Sequence, residues 1–162
     1  MVSADLEMKS DQTAIRKAQS TNDYLVCADI WLRASLLAHD FIDGDFWRAK
    51  QAAMASVYLP SSLVTLAVGA QGEVVAFSAV RGNKLEALFV EPGFWGQGLG
   101  RKLLDQIFDG HQELTLTVYA KNKRAVDFYL IRGLEVAGRG LCPFIGAEEL
   151  TMIWSRNKVP VK

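Results

Sequence analysis

Cysteine is scarce in this chain of 162 residues, which contains only Cys27 and Cys142. The two lie far apart in sequence and in unlike contexts, so we expect two buried thiols. A disulfide between them stays open at this point. No group of Cys and His has the spacing of metal ligands, and we therefore expect no metal site.

Long apolar runs and an excess of one charge are also missing. No run approaches the roughly 18 residues of a membrane span, and residues 1–12 lack the apolar core of a signal peptide. Lysine and arginine together number 18, as do aspartate and glutamate, so no basic field indicates nucleic acid. We expect a cytoplasmic protein without a membrane or nucleic-acid partner, as a monomer or a homodimer.

The length predicts one domain with a substantial core. We expect this domain to occupy residues 13–157, after a disordered or frayed segment at residues 1–12. Hydrophobic patterning predicts elements in the order β-α-α-β-β-β-α-β-α-β-β. The first helix is expected to turn Leu25, Ile30, Trp31, Ala34 and Leu37 inward. The predicted helices cover residues 20–37, 46–58, 99–108 and 122–132, and the predicted strands residues 13–18, 62–68, 73–81, 85–90, 114–119, 134–138 and 149–155.

A glycine-rich turn follows the predicted strand at residues 85–90. Gly96, Gly98 and Gly100 occupy every second position, just where the helix from Leu99 begins. Backbone amides without side-chain cover at the N-terminus of a helix form an anion site, most naturally for phosphate. A purely structural turn is the alternative interpretation.

Two common phosphate-binding loops do not match this turn. A P-loop requires lysine where Leu99 stands. A dinucleotide fingerprint requires a third glycine where the sequence has Arg101 or Leu103, depending on the register.

A third kind of loop does match. Residues 90–92 (Val-Glu-Pro) and 96–100 (Gly-Gln-Gly-Leu-Gly) resemble the strand, loop and helix start of the GNAT superfamily of acetyl-CoA-dependent N-acyltransferases. Residues 122–129 (Asn-Lys-Arg-Ala-Val-Asp-Phe-Tyr) are similar to a later motif of the same family. One position departs from the pattern, because Trp95 stands where arginine or glutamine is usual. The chain thus resembles a small stand-alone bacterial N-acetyltransferase.

The resemblance implies an α/β (α+β) fold with a mixed, mainly antiparallel central sheet and helices on both faces. It implies that the strands ending at Val90 and near Val118 splay apart and admit the pantetheine arm of coenzyme A. The implied activity is acetyl transfer from acetyl-CoA to a primary amine of a small molecule or protein, by direct attack in a ternary complex. A non-catalytic module that binds coenzyme A or acetyl-CoA, as a sensor or in interactions, is the alternative.

The same resemblance suggests which residues bind the cofactor. Since the loop binds through its backbone, we expect Trp95 to change affinity more than chemistry. The implied cofactor-binding residues are Leu88, Phe89, Val90, Trp95, Gly96, Gln97, Gly98, Leu99, Gly100, Arg101, Asn122 and Tyr129.

Two residues are candidates for the chemistry. Tyr129 matches the family's tyrosine that protonates the leaving thiolate, and a phenol is a suitable donor. Its alternative role is a core aromatic. Glu86 on the central strand is the candidate general base, directly or through water, and its alternative is a structural ion pair. The amide of Val90 is expected to help polarise the thioester carbonyl.

The acceptor site is harder to predict. The candidates are His39, Glu86, Trp31 and Phe41, and His39 is a second candidate for the base. A histidine that satisfies a helix C-terminus, and aromatics that belong to the core, are the alternatives. Trp47 and Tyr58 are further aromatic candidates for this site.

Overall fold

The computed structural model describes residues 13–157, so the prediction for residues 1–12 lies outside the described residues. Strands and helices follow each other in the predicted order. The strands are β1 (Ala14–Lys17), β2 (Leu63–Val68), β3 (Val74–Arg81), β4 (Lys84–Val90), β5 (Glu113–Tyr119), β6 (Glu135–Leu141) and β7 (Glu148–Ser155). The α-helices are α1 (Thr21–Ala38), α2 (Gly44–Ala53), α3 (Leu99–Asp109) and α4 (Lys123–Ile131), with a π-helical turn at Met54–Tyr58 and a 3-10 turn at Pro92–Phe94.

One seven-stranded sheet joins all the strands, in the order β1-β2-β3-β4-β5-β7-β6. All neighbours are antiparallel except β4 and β5, which run parallel and pair at Lys84 and Thr115, near the start of both strands. The amide of Thr115 also donates to the carbonyl of Asn83 at 2.8 Å. Beyond this point the two strands diverge, which confirms the predicted mixed sheet with splayed central strands.

A bulge in β4 lies next to this divergence. Ala79 of β3 faces Ala87, whereas its neighbour Val80 faces Leu85, so Glu86 is an extra residue in β4. Such a bulge bends a strand and redirects its side chains. Glu86 is thereby placed at the edge of the gap rather than in the regular alternation of the strand.

Helices cover both faces of the sheet, as predicted. On one face α1 and α2 pack on β2, β3 and β4 through a cluster that includes Ile30, Trp31, Trp47 and Phe77. On the other face α3 and α4 pack on β3, β4, β5 and β7, with Leu104 fully buried in that cluster. Burial of these apolar side chains is the main force that holds the helices on the sheet.

The start of α1 shows how local sequence connects two elements. Ser20 caps the helix as predicted, because its Oγ accepts a hydrogen bond from the amide of Asp23 at 3.1 Å. The Asp23 carboxylate accepts in turn from the amide of Gln19 and from the Arg16 guanidinium on β1. Arg16 holds the pKa of Asp23 down to about 2, so the carboxylate is charged at neutral pH.

Two details of the α1 prediction are wrong. Leu25 is 51% exposed and Leu37 is 60% exposed. The buried stripe of the helix is centred on Cys27, Trp31 and Ala34. At 100° per residue, Leu25 lies on the opposite side of the helix and Leu37 lies at the border of the stripe.

The second predicted helix changes character before its end. The regular part ends at Ala53, and the turn Met54–Tyr58 is wider. Its signature is the hydrogen bond from the amide of Leu59 to the carbonyl of Met54 at 3.0 Å, which spans five residues instead of four. Tyr58 is 51% exposed there.

Both cysteines are buried free thiols, as expected from the sequence. Within residues 13–157, the chain forms no helix with the length and apolar character required to traverse a membrane. The same residues hold no group of three or more His, Cys, Asp and Glu side chains arranged to ligate a metal.

Candidate active site

The end of β4 directs backbone groups into the gap between β4 and β5. The amide of Glu91 donates to the carbonyl of Val75 at 2.8 Å, so this residue faces β3. Because antiparallel hydrogen bonding alternates along a strand, Leu88 and Val90 direct their N–H and C=O groups to the other side. The carbonyl of Val90 already has a hydrogen-bond partner, because the indole of Trp95 donates to it at 2.8 Å.

The glycine loop after β4 has the backbone of an anion site. Gly96 and Gly98 have φ values of 82° and 81°, which side-chain-bearing residues rarely adopt. A Cβ atom added at either glycine would meet nothing within 4 Å, so the space in front of the loop is open. Gly98 caps α3, whose first amides have no partner within the helix.

A cavity of about 440 Å³, the loop cleft, opens in front of these amides. Three arginines, Arg101, Arg124 and Arg132, contribute to its walls, and Arg124 stacks over the Trp95 ring at 4.5 Å. Its walls also contain Ala34, Ala38, Leu88, Phe89, Val90, Phe94, Trp95, Gly96, Gly98, Leu99, Gly100, Asn122, Ala125, Phe128 and Tyr129. Open amides, cations and apolar walls fit a long ligand with a phosphate end and a thin apolar arm.

Gln97 differs from its neighbours in the loop. It lines a separate cavity beside Thr13, Gly69 and Glu73 instead of the loop cleft. The structure therefore does not place Gln97 with the other eleven residues that the sequence suggested for the cofactor, all of which line the loop cleft.

A second cavity of about 250 Å³, the inner pocket, fills the gap between β4 and β5. Leu88, Phe89, Asn122, Ala125 and Tyr129 line both cavities. The remaining lining residues of the inner pocket are Trp31, His39, Trp47, Leu85, Glu86, Ala87, Thr117, Val118, Tyr119 and Glu149. A ligand in the loop cleft and a ligand in the inner pocket would therefore meet beside Tyr129.

Tyr129 lies on α4 and is only 8% exposed. Burial raises the pKa of its phenol above the ordinary value, because a phenolate would lose hydration. The hydroxyl is therefore protonated at neutral pH and available as a donor.

Asn122 caps α4 and contacts His39 across the pocket. Its Oδ1 accepts from the amide of Ala125 at 3.3 Å, which assigns the orientation of the side-chain amide. Its Nδ2 consequently faces the Nε2 of His39 at 3.3 Å and donates to it. A neutral His39 therefore carries its proton on Nδ1, and this buried nitrogen has no partner among residues 13–157.

The His39 ring is held by aromatic neighbours. It is stacked on Trp47 with centroids 4.8 Å apart and meets Phe41 and Tyr119 edge-on at 5.9 and 5.2 Å. Burial lowers the pKa of His39 to about 4, so the ring is neutral at pH 7. Although His39 ends α1, only its backbone amide bonds to the helix, at the carbonyl of Ser35.

Glu86 reaches the inner pocket from the β4 bulge. Its side chain is 35% exposed, and the Nζ of Lys84 lies 3.9 Å from its Oε2. The ion pair and the pocket position, which were alternatives in the sequence, thus occur together.

The predicted aromatic residues divide into two groups. Trp31 and Trp47 line the inner pocket while belonging to the core. Phe41 and Tyr58 do not line the pocket. Phe41 contacts the His39 ring edge-on, and Tyr58 is 51% exposed at the surface.

Sequence reasoning missed three polar residues of the inner pocket, Thr117, Tyr119 and Glu149. Tyr119 alternates with Thr117 on β5, which places both on one face of that strand. That alternation was a usable signal. For Glu149 no signal existed, because its position depends on the register of β7 against β5.

Comparison with known proteins assigns the family. Residues 29–134 match the acetyltransferase (GNAT) family, and the chain belongs to that family. It is 36% identical over 110 residues to the peptidyl-lysine N-acetyltransferase YjaB of Salmonella typhimurium, covering 68% of this chain and 75% of that protein. It is 29% identical over 123 residues to the peptidyl-lysine N-acetyltransferase YiaC of Escherichia coli, covering 75% and 83%.

Solved structures agree with this assignment. The solution structure of apo YjaB from Escherichia coli has a TM-score of 0.77 at 27% identity and covers 87% of this chain and 96% of that one. A Thermoplasma acidophilum N-acetyltransferase in complex with coenzyme A shares the fold, with a TM-score of 0.68 at 18% identity, covering 88% and 98%. This chain is an N-acetyltransferase, and its acetyl donor is acetyl-CoA.

Proposed function

We propose that this enzyme acetylates lysine side chains of peptides or proteins, with acetyl-CoA in the loop cleft and the amine in the inner pocket. The observation that carries the proposal is that both cavities share Tyr129 and residues 88–89 as walls. Two substrates that meet there react by direct attack, without an acetylated enzyme. Bringing both into contact is itself a large part of catalysis.

The loop cleft binds the donor through backbone more than through side chains. The amides at the start of α3 hold phosphate oxygens, and Arg101 and Arg124 add positive charge beside them. The free backbone groups of Leu88 bind the arm as an added strand would be bound. Acetyl-CoA, when bound, supplies a thioester that an amine attacks readily.

Two groups of the chain act on the reacting thioester. The free amide of Val90 donates a hydrogen bond to the thioester oxygen as negative charge develops there. Tyr129 donates its proton to the leaving sulfur. Burial raises the pKa of Tyr129, so the phenol is protonated at neutral pH and carries the proton that the departing thiolate takes up.

Glu86 is the better candidate for the base, and His39 for a substrate contact. The Nε2 of His39 is occupied by Asn122, and its Nδ1 carries the proton. The ring therefore presents a donor rather than an acceptor. Glu86 has its carboxylate at the gap, with Lys84 at 3.9 Å from one oxygen, and there it accepts the proton of the attacking amine directly or through water.

Lysine as the acceptor is supported by the relatives. Three matching proteins, among them the two described above, are named peptidyl-lysine N-acetyltransferases. The inner pocket has a volume of about 250 Å³ and is walled by Trp31, Trp47 and Phe89, which suits an aliphatic chain with an amine at its end. A non-catalytic sensor is not favoured, because a sensor has no need of Tyr129 and Glu86 at the meeting point.

The test is an acetylation assay with purified enzyme, acetyl-CoA and a set of lysine peptides. We expect free thiol and a peptide mass increase of one acetyl group, and neither with peptides whose lysine is replaced by norleucine. Glu86→Gln should lower kcat about 100-fold while acetyl-CoA binding is retained. Glu113→Gln, a matched change at the exposed start of β5, should behave as wild type. Acetyl-CoA turnover that no lysine peptide stimulates would contradict the proposed acceptor.

A further inference from the structure

The inner pocket contains a second carboxylate, Glu149, on β7. In the β5–β7 register it faces Tyr119, whose ring is part of the same pocket. Glu149 is half-buried and forms no ion pair within residues 13–157. Its sequence neighbour Glu148 differs, because it pairs with Arg139 at 2.9 Å and lies outside the pocket.

The charge of Glu149 acts on the interior of the pocket. The hydroxyl of Tyr119 donates to the Sγ of Cys142 at 3.9 Å, and the pKa of Tyr119 is raised mainly by burial. The negative charge of Glu149 contributes the smallest part of this rise. A carboxylate on the wall of a pocket, with no cationic partner in the chain, is available to a cationic ligand.

The walls of the pocket also suit a cationic ligand. Trp47, Tyr119 and His39 contribute aromatic rings to these walls. Tyr119 meets both other rings edge-on, and His39 and Trp47 are stacked. Aromatic rings attract cations, so a positive charge beside Glu149 has a second favourable partner there.

Glu149 is badly placed to hold the reacting amine. Strand β5 separates β7 from β4, where Glu86 and the backbone of Leu88 lie. A cation at Glu149 is therefore a different group from the amine that is attacked.

We propose that Glu149 binds a second positive charge of the acceptor, so that the enzyme prefers acceptors with a cation near the reacting amine. A lysine followed by arginine in a peptide has this chemistry, and so has a free aliphatic diamine. The proposal deepens the function proposed above and rests on it for the position of the reacting amine.

The test compares matched acceptors on wild type and variants. The peptide pair is Lys-Arg against Lys-Gln in one short neutral sequence, and the small-molecule pair is cadaverine against pentylamine. For Glu149→Gln we expect kcat/KM to fall about tenfold for the acceptor with two positive charges, which is the Lys-Arg peptide or cadaverine. We expect no change for the matched acceptor with one positive charge, in whichever pair the enzyme acetylates. Glu149→Lys should lower kcat/KM for the acceptor with two positive charges further. Glu148→Gln changes the neighbouring residue and is the control. It should leave kcat/KM for both members of each pair at the wild-type value.

A binding measurement separates this proposal from the proposed function. Titration of the same four probes into the protein saturated with coenzyme A requires no turnover. Weaker binding of a dicationic probe to Glu149→Gln, with its partner unaffected, supports the proposal even if no lysine peptide is acetylated. Equal affinities and equal kcat/KM values for wild type and Glu149→Gln overturn it, even if lysine acetylation is robust. Which pair shows the effect decides between a peptide and a free diamine.

Discussion

The loop cleft and the inner pocket share a wall at Tyr129 but are built from different groups of the chain. The loop cleft depends on backbone amides, exposed by two glycines with left-handed conformations at Gly96 and Gly98. The inner pocket depends on side chains from six separate parts of the chain, among them Glu86 on β4, His39 after α1 and Glu149 on β7.

This difference separates two tasks. A site built from backbone groups is expected to recognise what every donor molecule shares and to tolerate changes in the surrounding side chains, such as the change to Trp95. A side-chain site changes its preference with one substitution and leaves the donor site intact. The acceptor can therefore differ between relatives that keep the same loop.

The largest effect is expected at the shared wall, where Tyr129→Phe removes one oxygen. We expect kcat to fall about 10³-fold, or about 4 kcal/mol in the barrier, with the Kd of acetyl-CoA nearly unchanged. Tyr58→Phe, at an exposed tyrosine, is the control. Single-turnover kinetics and calorimetry measure the two quantities. If acetyl-CoA binding and rate fell together, the hydroxyl of Tyr129 would serve donor binding and not the chemical step.

The next largest effect is expected in the inner pocket, where the buried His39 makes the stability of the fold depend on pH. His39 has a pKa of about 4 in the folded chain, below its unfolded value, so the unfolded state takes up the proton first. Stability should fall as pH drops from about 6.5 to 4, by about 3 kcal/mol from this group. His39→Gln lacks this contribution, and its urea unfolding free energy should decline less over the same range. Parallel curves for wild type and variant would contradict a buried neutral His39.

The backbone character of the loop cleft is tested by a matched pair of glycines. Gly98 and Gly72 have φ values of 81° and 83°, and a Cβ at either meets no atom within 4 Å. Gly98→Ala and Gly72→Ala should therefore cost similar stability, about 1 kcal/mol. Gly98→Ala alone should weaken acetyl-CoA binding, about 30-fold, because its methyl group occupies the space before the amides. Equal affinities in both variants would show that the loop is only a turn.

The smallest effect is expected at Trp95, whose side chain lines the loop cleft. Trp95→Phe removes the hydrogen bond to the Val90 carbonyl and retains a ring beneath Arg124. We expect about threefold weaker acetyl-CoA binding and an unchanged kcat. Trp154→Phe, at a partly buried position where the ring stacks on Phe108, is the control. A larger effect on kcat than on binding would assign Trp95 a role in the chemistry.

Much of the fold was predictable because local patterns agree with the final packing. The alternation in β5, the cap at Ser20 and the glycine loop before α3 were each readable within a few neighbouring residues. Leu25 and Leu37 were not, because the orientation of a helix stripe depends on the sheet against which it packs. The π-helical turn after Ala53 was missed for the same reason.

The site was also predictable only in part, and again the local features were the predictable ones. The sequence placed Gly96, Gly98 and Tyr129 in the loop cleft, because family motifs are contiguous stretches of sequence. It suggested Glu86 and His39 without a way to choose between them as the base. Our proposal that Glu86 is the base depends on the contact between Asn122 and the Nε2 of His39, which joins residues 83 positions apart and is visible only in the tertiary structure.

By itself, the sequence determined the strand, loop and helix that form the loop cleft, since the motif and its backbone geometry are local. It also determined the order of elements, and through them the family. The tertiary structure alone decided the inner pocket. The bulge at Glu86, the single pairing of β4 with β5 and the register that brings Glu149 to Tyr119 are long-range events. No short stretch of sequence encodes them, because each depends on how distant strands align as the core closes.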